Sequence, residues 1–469
     1  MLYDSEAGDF TITFGGDTML TRRLAVYSEP RFTALAKLFR DADVGFVNLE
    51  GSTRNWDEGV PGIMRGTYMT TPPSLLEDLK WFGIDMVSCA NNHAFDYGAE
   101  GMMATRRHLD HTGIVHSGSG ANLAESRSPG YLETPNGRVG LVSATATYRE
   151  WNAAGAQRRD MPGRPGINPL ANTKTHRVDE KAFAELRRMS KRLGFDLEKT
   201  RARGHFYSDK EVPPDAADSL EIFGARIEKG KSFATLYHAD ADDLAENLRW
   251  VREARRQADW VIFSLHFHEF GGKSLAQAKT RTELQEPADF VIGVAHAAID
   301  AGADIFVGHG SHIPLGVEIY QGKPILYSAG NMIFQNETVQ FFPDEAYRRF
   351  DLGPDATPSD FLDARTNGGT KGHVAHEGFW ENVVINCSFR KGRLAEIRVY
   401  PIDQGFGRPL PQRGRPMLAQ GAVAKRVLAR MAKISKFYGT DMRIANNTGI
   451  IKVGGQRRKR KSPARKSGL

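Results

Sequence analysis

Ile305-Phe306-Val307-Gly308-His309-Gly310-Ser311-His312 is the stretch on which the reading of this chain turns. The three apolar residues read as a buried strand, and the turn that follows carries two imidazoles among small residues. Two imidazoles at the end of one strand can reach a single metal cluster. Four further polar clusters lie in or after apolar runs. Asp17 follows Phe10 to Phe14, and Asn48 and Glu50 follow Val44 to Val47. Asn91, Asn92 and His93 follow Ile84 to Cys89, and His266 lies in the run Trp260 to Phe267. Open α/β sheets place their sites just beyond the carboxyl ends of strands. Five such clusters, rich in Asp, Glu, Asn and His, point to a metal-centred hydrolase of the α/β class.

Working outward, the first ~150 residues alternate strand and helix signals in the manner of βαβ units. Pro73 suits a first helical position, Leu75, Leu76, Leu79 and Phe82 recur at helical spacing, and Gly83 suits a left-handed cap. Residues 150–238 are charged, irregular and rich in Gly, Pro and Arg, with a helical stretch from Asp179 to Leu193 and a short strand in Lys229 to Leu236. Strand-helix order then returns. Val317 to Tyr320 and Pro324 to Tyr327 flank a Gln-Gly-Lys turn and read as a hairpin. The expected organisation is one domain in two halves, 9–149 and 239–440, around an insertion or lid at 150–238. A basic flexible tail at 454–469 follows.

Composition narrows the class. Of the 469 residues, 40% are hydrophobic and 25% charged, the balance of an ordinary globular protein, which excludes disorder of the whole chain. Cys89 and Cys387 are the only cysteines, which excludes a disulfide framework and a Cys-rich zinc site. No apolar run approaches the ~20 residues of a membrane helix, and the N-terminus is acidic and polar, unlike a secretory signal. The expectation is a cytoplasmic protein without a transmembrane segment. The net charge of +7 equals the seven positive charges of Arg457, Arg458, Lys459, Arg460, Lys461, Arg465 and Lys466, so the body is near neutral. The tail is expected to bind polyanions or acidic lipid weakly, and a nucleic-acid enzyme is the least favoured reading.

The clusters share one chemistry. Asp17, projected by the flexible Gly15-Gly16, is a hard oxygen ligand, and Glu50 can bridge two ions with Asn48 beside it. The Asn92 amide oxygen can bind metal without adding charge. His93 can protonate a leaving group, oriented by Asp96. His266 and His268 share a strand face, and of the two His266 is the expected ligand, with Glu269 an acid behind them. His309 and His312 complete the expected metal set of Asp17, Glu50, Asn92, His266, His309 and His312. His108, His111, His296, His373 and His376 are most simply surface or packing residues. Arg65, Arg164 and Lys323 are weaker candidates for anion contacts. No Gly-x-Ser-x-Gly elbow, Walker loop or dinucleotide fingerprint is present.

In this order, FGGDTML (Phe14–Leu20), FVNLEGS (Phe46–Ser52), SCANNHAFDYG (Ser88–Gly98), RPGINPL (Arg164–Leu170), SLHFHEFG (Ser264–Gly271), the long run Ala298–Asn331 and YPIDQG (Tyr400–Gly405) resemble the CapA-type poly-γ-glutamate capsule biosynthesis proteins. That family is related to the calcineurin-like metallophosphoesterases. The resemblance implies a four-layer αββα sandwich and a site holding one or two divalent ions (Mn, Zn, Fe or Mg). It implies metal-activated water attacking a γ-glutamyl amide or phosphoester, with an acidic polymer or phosphoester as substrate and capsule-synthesis proteins as partners. The alternative is a non-catalytic accessory protein that binds poly-γ-glutamate or supports its synthetase. Departures from the pattern are Met19 where an Asp-x-His opening has its second ligand, a final His pair spaced by two, and Phe267-His268 in place of Trp-Gly.

Overall fold

In the computed structural model the run at Phe10 becomes the strand Phe10–Met19, buried along nearly its whole length. The structure describes residues 8–64, 66–272, 275 and 277–453. These form two compact units. The first takes the chain as far as Pro169, Leu248–His268 and the chain from Ala298 onward; the second takes Leu170–Asn247 and Glu269–Ala297.

The first unit contains two large sheets. In the ten-stranded sheet, Phe10–Met19, Val44–Leu49, Met86–Ser88 and Val115–Ser117 run parallel in that order. Beyond Phe10–Met19 the pairing turns antiparallel through Glu381–Arg390 and Arg393–Asp403. Asn331–Phe334 pairs with the carboxyl end of Phe10–Met19. In the six-stranded sheet, Gly137–Thr145, Trp260–His266, Ile305–His309 and Lys323–Ala329 are parallel. Gly130–Thr134 and Pro314–Tyr320 close its edges antiparallel. The expected hairpin turn is there: Gln321 and Gly322 take φ of 51° and 79°, the pair of positive values a two-residue hairpin turn of type I′ requires.

Alternation along the strands sorts the core. Phe10, Ile12 and Phe14 share one cluster with Leu141, Trp260, Ile262, Ile305 and Val307, so the two sheets bury a common face. Phe10 stacks on Trp260 at 4.6 Å, and Phe389 closes on the same indole at 4.9 Å. Val47, Leu49 and Val87 pack instead with Phe32, Leu35 and Phe39 of helix Pro30–Arg40 and Leu76, Leu79 and Phe82 of helix Leu76–Phe82. Each such side chain contributes about 1.5–3 kcal/mol on burial. Gly83 ends the second helix at φ 98°, a left-handed cap.

The second unit has its own four-stranded sheet, Ser219–Ile222, Ala225–Lys229, Asn172–Val178 and Ala234–Ala239, with helices Glu180–Leu193 and Phe195–His205. Asp179 caps the first helix by accepting from Ala182 N at 2.9 Å. Its core is small: Val178, Phe183, Leu220, Ile222 and Ile227. The sheet is more regular than the sequence suggests, because its strands are half-exposed and carry no continuous apolar run.

Candidate metal centre

Strand register assembles the site from two rows. Across the first sheet, Asn331, Asp17, Asn48 and Ser88 stand side by side on four adjacent strands. Across the second, Thr145, His266 and His309 do the same. The register of Phe10–Met19 slips on both sides of Asp17, a bulge that re-aims the side chain at the strand end. Gly16 permits this: a Cβ there would lie 1.6 Å from Gly330 O, the carbonyl that accepts Asp17 N–H at 2.9 Å.

The first group is Asp17, His266 and His309, all buried, each offering a ligand atom within 4.8 Å of the others. Asp17 accepts from Asn48 Nδ2 at 2.8 Å and, through both oxygens, from Gly310 N–H at 3.0 Å. His312 Nδ1 lies 3.2 Å from Asp17 Oδ2. Burial pushes the Asp17 carboxyl up, but the His312 hydrogen bond, with His309 and Asn48, holds it below the usual range. His309 Nε2 meets Ser264 Oγ at 2.7 Å, which leaves Nδ1 facing His266 Nδ1 at 3.0 Å. Burial lowers His309 to about 4 and holds His266 well below its ordinary value, with the neighbouring histidines adding to the effect. Burial thus favours the neutral form of both imidazoles, the form that ligates.

The second group is Glu50, His268 and His312. Glu50 follows Val44–Leu49 and is 1% exposed, and His312 Nε2 is 3.6 Å from its Oε1. His312 takes φ 61°, a left-handed conformation unusual for a residue with a Cβ, and its Nδ1 is 3.0 Å from Asn331 Oδ1. His268 stands with its ring 5.1 Å from that of His266 and 5.8 Å from that of His312. Sequence reasoning preferred His266 over His268; the structure brings both to the cluster.

At the edge sits the His93–Asp96 pair. His93 Nδ1 meets Asp96 Oδ2 at 2.8 Å, and the same oxygen accepts Met69 N–H at 2.7 Å. Burial raises the Asp96 carboxyl, with His93 opposing. His93 Nε2 lies 4.0 Å from Glu50 Oε1. Asn91 braces the turn through Asn48 Oδ1 and Leu49 O. Asn92, His93 and Asp96 line one wall of a 630 Å³ cavity, with Tyr148, Arg149 and Trp151 also lining it.

The donor set fits a divalent metal. His266 Nε2 and Asn92 Oδ1 are buried with no hydrogen-bond partner among the described residues, an arrangement a ligated ion would satisfy. The weaker candidates are otherwise engaged. Arg164 Nε donates to Ala153 O at 3.0 Å, and Lys323 Nζ to Ala303 O at 2.7 Å. Glu269 accepts Ala288 N–H through its backbone oxygen. His108 pairs with Glu58 at 2.6 Å. Arg65 and the basic tail lie outside the described residues. Sequence reasoning missed Asn331 and Gly310; His373, read as a surface or packing residue, packs on Phe334 and Phe379 with its ring 5.4 Å from that of His312. For His268, the signal was the shared strand face with His266.

Among the described residues, no helix is long and apolar enough to cross a membrane. An uncharacterized protein y4sH of Sinorhizobium fredii is 33% identical over 454 residues, covering 95% of this chain and 93% of that protein. The PGA biosynthesis protein CapA of Bacillus subtilis is 22% identical over 329 residues, 69% of this chain and 62% of that one. A probable polyglutamine synthesis accessory protein of Mycobacterium tuberculosis is 27% identical over 255 residues, 53% of this chain and 45% of that one. The family described as bacterial capsule synthesis protein PGA_cap matches residues 11–336, and with these relatives that places the chain in it: this protein belongs to the CapA-type capsule biosynthesis family.

Proposed function

We propose that the chain is a metal-dependent hydrolase of poly-γ-glutamate synthesis or processing, built as a four-layer αββα sandwich and acting on a γ-glutamyl amide or a phosphoester. The observation that carries the reading is the pair of adjoining ligand groups, Asp17, His266, His309 and Glu50, His268, His312, with the His93–Asp96 pair at their edge. Asp17, His266 and His309 would hold one ion, and Glu50, His268 and His312 a second or a shared one, with Asn92 a further ligand. The imidazole content favours Zn, Mn or Fe over Mg. A divalent ion bound there supplies Lewis-acid polarisation of the substrate and lowers the pKa of water.

The remaining steps belong to side chains. Asp96 accepts from His93 Nδ1, which fixes the ring so that Nε2 faces the cluster. Nε2 then delivers a proton to the departing amine or alkoxide, and Asp96 stabilises the imidazole while it is charged. Asn48 and Gly310 N–H hold the Asp17 carboxylate in one orientation throughout.

Metal analysis of the protein as purified, beside Glu50→Ala, tests this. About two equivalents, lost together in the variant, support a bridged centre and direct the search to γ-glutamyl amides and phosphoesters. No metal, and no uptake from added Mn²⁺ or Zn²⁺, supports the second reading, a non-catalytic partner of the synthetase. That reading is favoured by the accessory role in the mycobacterial relative's name.

A further inference from the structure

A second cavity, of 380 Å³, has His373 in its lining. The His373 ring is packed between Phe334 and Phe379 at 5.2 and 4.6 Å, and it stands 5.4 Å from the His312 ring. The remaining charged lining is Arg365, Lys371 and Arg413 against Glu337 and Asp363. All six residues lie beyond position 336, where the family match ends.

The cations are poorly neutralised. Arg413 is 17% exposed, and its one acid contact is a loose one, Nη1 to Glu337 Oε2 at 3.5 Å. Its Nε is buried with no hydrogen-bond partner, and the guanidinium lies 5.6 Å from the Trp380 ring centre. A guanidinium carries five donors in a fixed fork, so Arg413 retains donors for a further acceptor. Arg365 donates to the neutral Thr67 Oγ1. Burial and then the nearby Arg349 both disfavour its charge. Burial also raises the Glu337 carboxyl, which weakens one of the two acids that line the cavity, the other being Asp363. Lys371 adds an exposed ammonium on the glycine-rich loop Gly368–Gly372. A buried guanidinium with donors to spare is stabilised by a further anionic acceptor.

We infer that this cavity is a substrate subsite that takes an anionic oxygen group, a carboxylate or a phosphate, one position away from the bond held at the metal centre. The inference rests on the proposed hydrolase only for where that bond lies. A γ-glutamyl chain presents a free carboxylate on every unit, so a unit in this cavity would register its neighbour over the cluster. The loop that forms the wall lies beyond the residues the family model matches, 11–336.

The test is calorimetric titration of the full-length protein as purified with γ-linked triglutamate and, separately, with inorganic phosphate. Wild type is compared with Arg413→Gln and Lys371→Met, with thermal melting as a check on folding. The expected result is binding by wild type that weakens by about tenfold or more in Arg413→Gln and by about threefold or more in Lys371→Met. Lys371 is exposed, so that variant keeps the test open if Arg413→Gln fails to fold. Loss of phosphate binding alone in the variants keeps the anion subsite and identifies a phosphoester substrate. Undiminished affinity in both variants, or no binding of either anion by wild type, overturns the inference. The readout is binding, so triglutamate bound through Arg413 but never cleaved would retire the γ-glutamyl hydrolase reading and leave the subsite standing.

Discussion

Replacing Gly310 by Ala tests whether the metal centre depends on backbone as closely as its geometry implies. Gly310 sits at φ 91°, between the two histidines of the Ile305 strand end. A Cβ added there would lie 2.7 Å from both Cε1 and Nε2 of His266 and 2.9 Å from Phe267 O. An L-residue in the left-handed region costs about 1–2 kcal/mol. Forcing a methyl into a filled core costs about 1–3 kcal/mol more. His266 cannot yield cheaply, since it is fully buried and its Nδ1 is engaged by His309 at 3.0 Å. The total of about 2–5 kcal/mol leaves a folded but weakened protein on the usual scale of 5–15 kcal/mol. The Gly310 N–H to Asp17 is chemically unchanged by the substitution, so the damage falls on His266. Metal affinity should drop on the order of 10–100-fold. Gly322→Ala is the control: φ is 79° there as well, but nothing lies within 4 Å of the new Cβ. Urea unfolding and metal analysis by mass spectrometry read both effects. If Gly310→Ala retains its metal and matches Gly322→Ala within about 0.5 kcal/mol, an error typical of denaturant extrapolation, then His266 is not confined as described.

Three further outcomes follow from single contacts. His268→Ala should lower bound metal without unfolding the chain, read by metal analysis; unchanged stoichiometry would remove His268 from the second group. Asp96→Asn should cut kcat by about 100-fold or more while KM and metal content hold, because only the orientation and charge of His93 are lost; an unchanged kcat would show that His93 needs no partner. Glu58 should stabilise the fold above about pH 5 and cease to do so as the pH falls through about 2. Burial pushes its carboxyl up, yet hydrogen bonds from Asn55, His108 and Arg107 bring it to about 2. The folded value is thus below the unfolded one, so the contribution exists at high pH and is lost on acidification. Melting curves of wild type and Glu58→Gln should converge in that window.

What was legible in the sequence follows from how parallel strands are built. Strands buried on both faces are continuous apolar runs, so their ends can be read, and with them Asp17, Glu50, His266 and His309. Gly83 and the Gln321-Gly322 turn were legible because positive φ selects glycine and its neighbours. The second unit's sheet was not, because Asn172–Val178 and Ala234–Ala239 are half-exposed and mix polar with apolar residues. His373 was invisible for another reason. Its place beside His312 is set by a connection of some forty residues with no periodicity that ties it to the site. Arg164 and Lys323 read as weak candidates for anion contacts and more simply as solvated surface; Arg164 is exposed, and backbone carbonyls engage both, a partner that no pattern of side chains reveals.

Position 19 and position 268 bear on each other. The resemblance leads one to expect an imidazole two residues after Asp17, and Met19 is there instead, 3% exposed. The same resemblance leads one to expect glycine at 268, and an imidazole is there, within ligand distance of Glu50 and His312. Against that expectation the Phe10–Met19 strand end lacks a nitrogen donor, and the residues just past Trp260–His266 carry one into the cluster. That arrangement is physically economical, because His266 already brings the strand end to the cluster and period-two alternation carries His268 to the same face. The His268 ring is 5.8 Å from that of His312, and the His312 ring 5.4 Å from that of His373, which lines the arginine-bearing cavity.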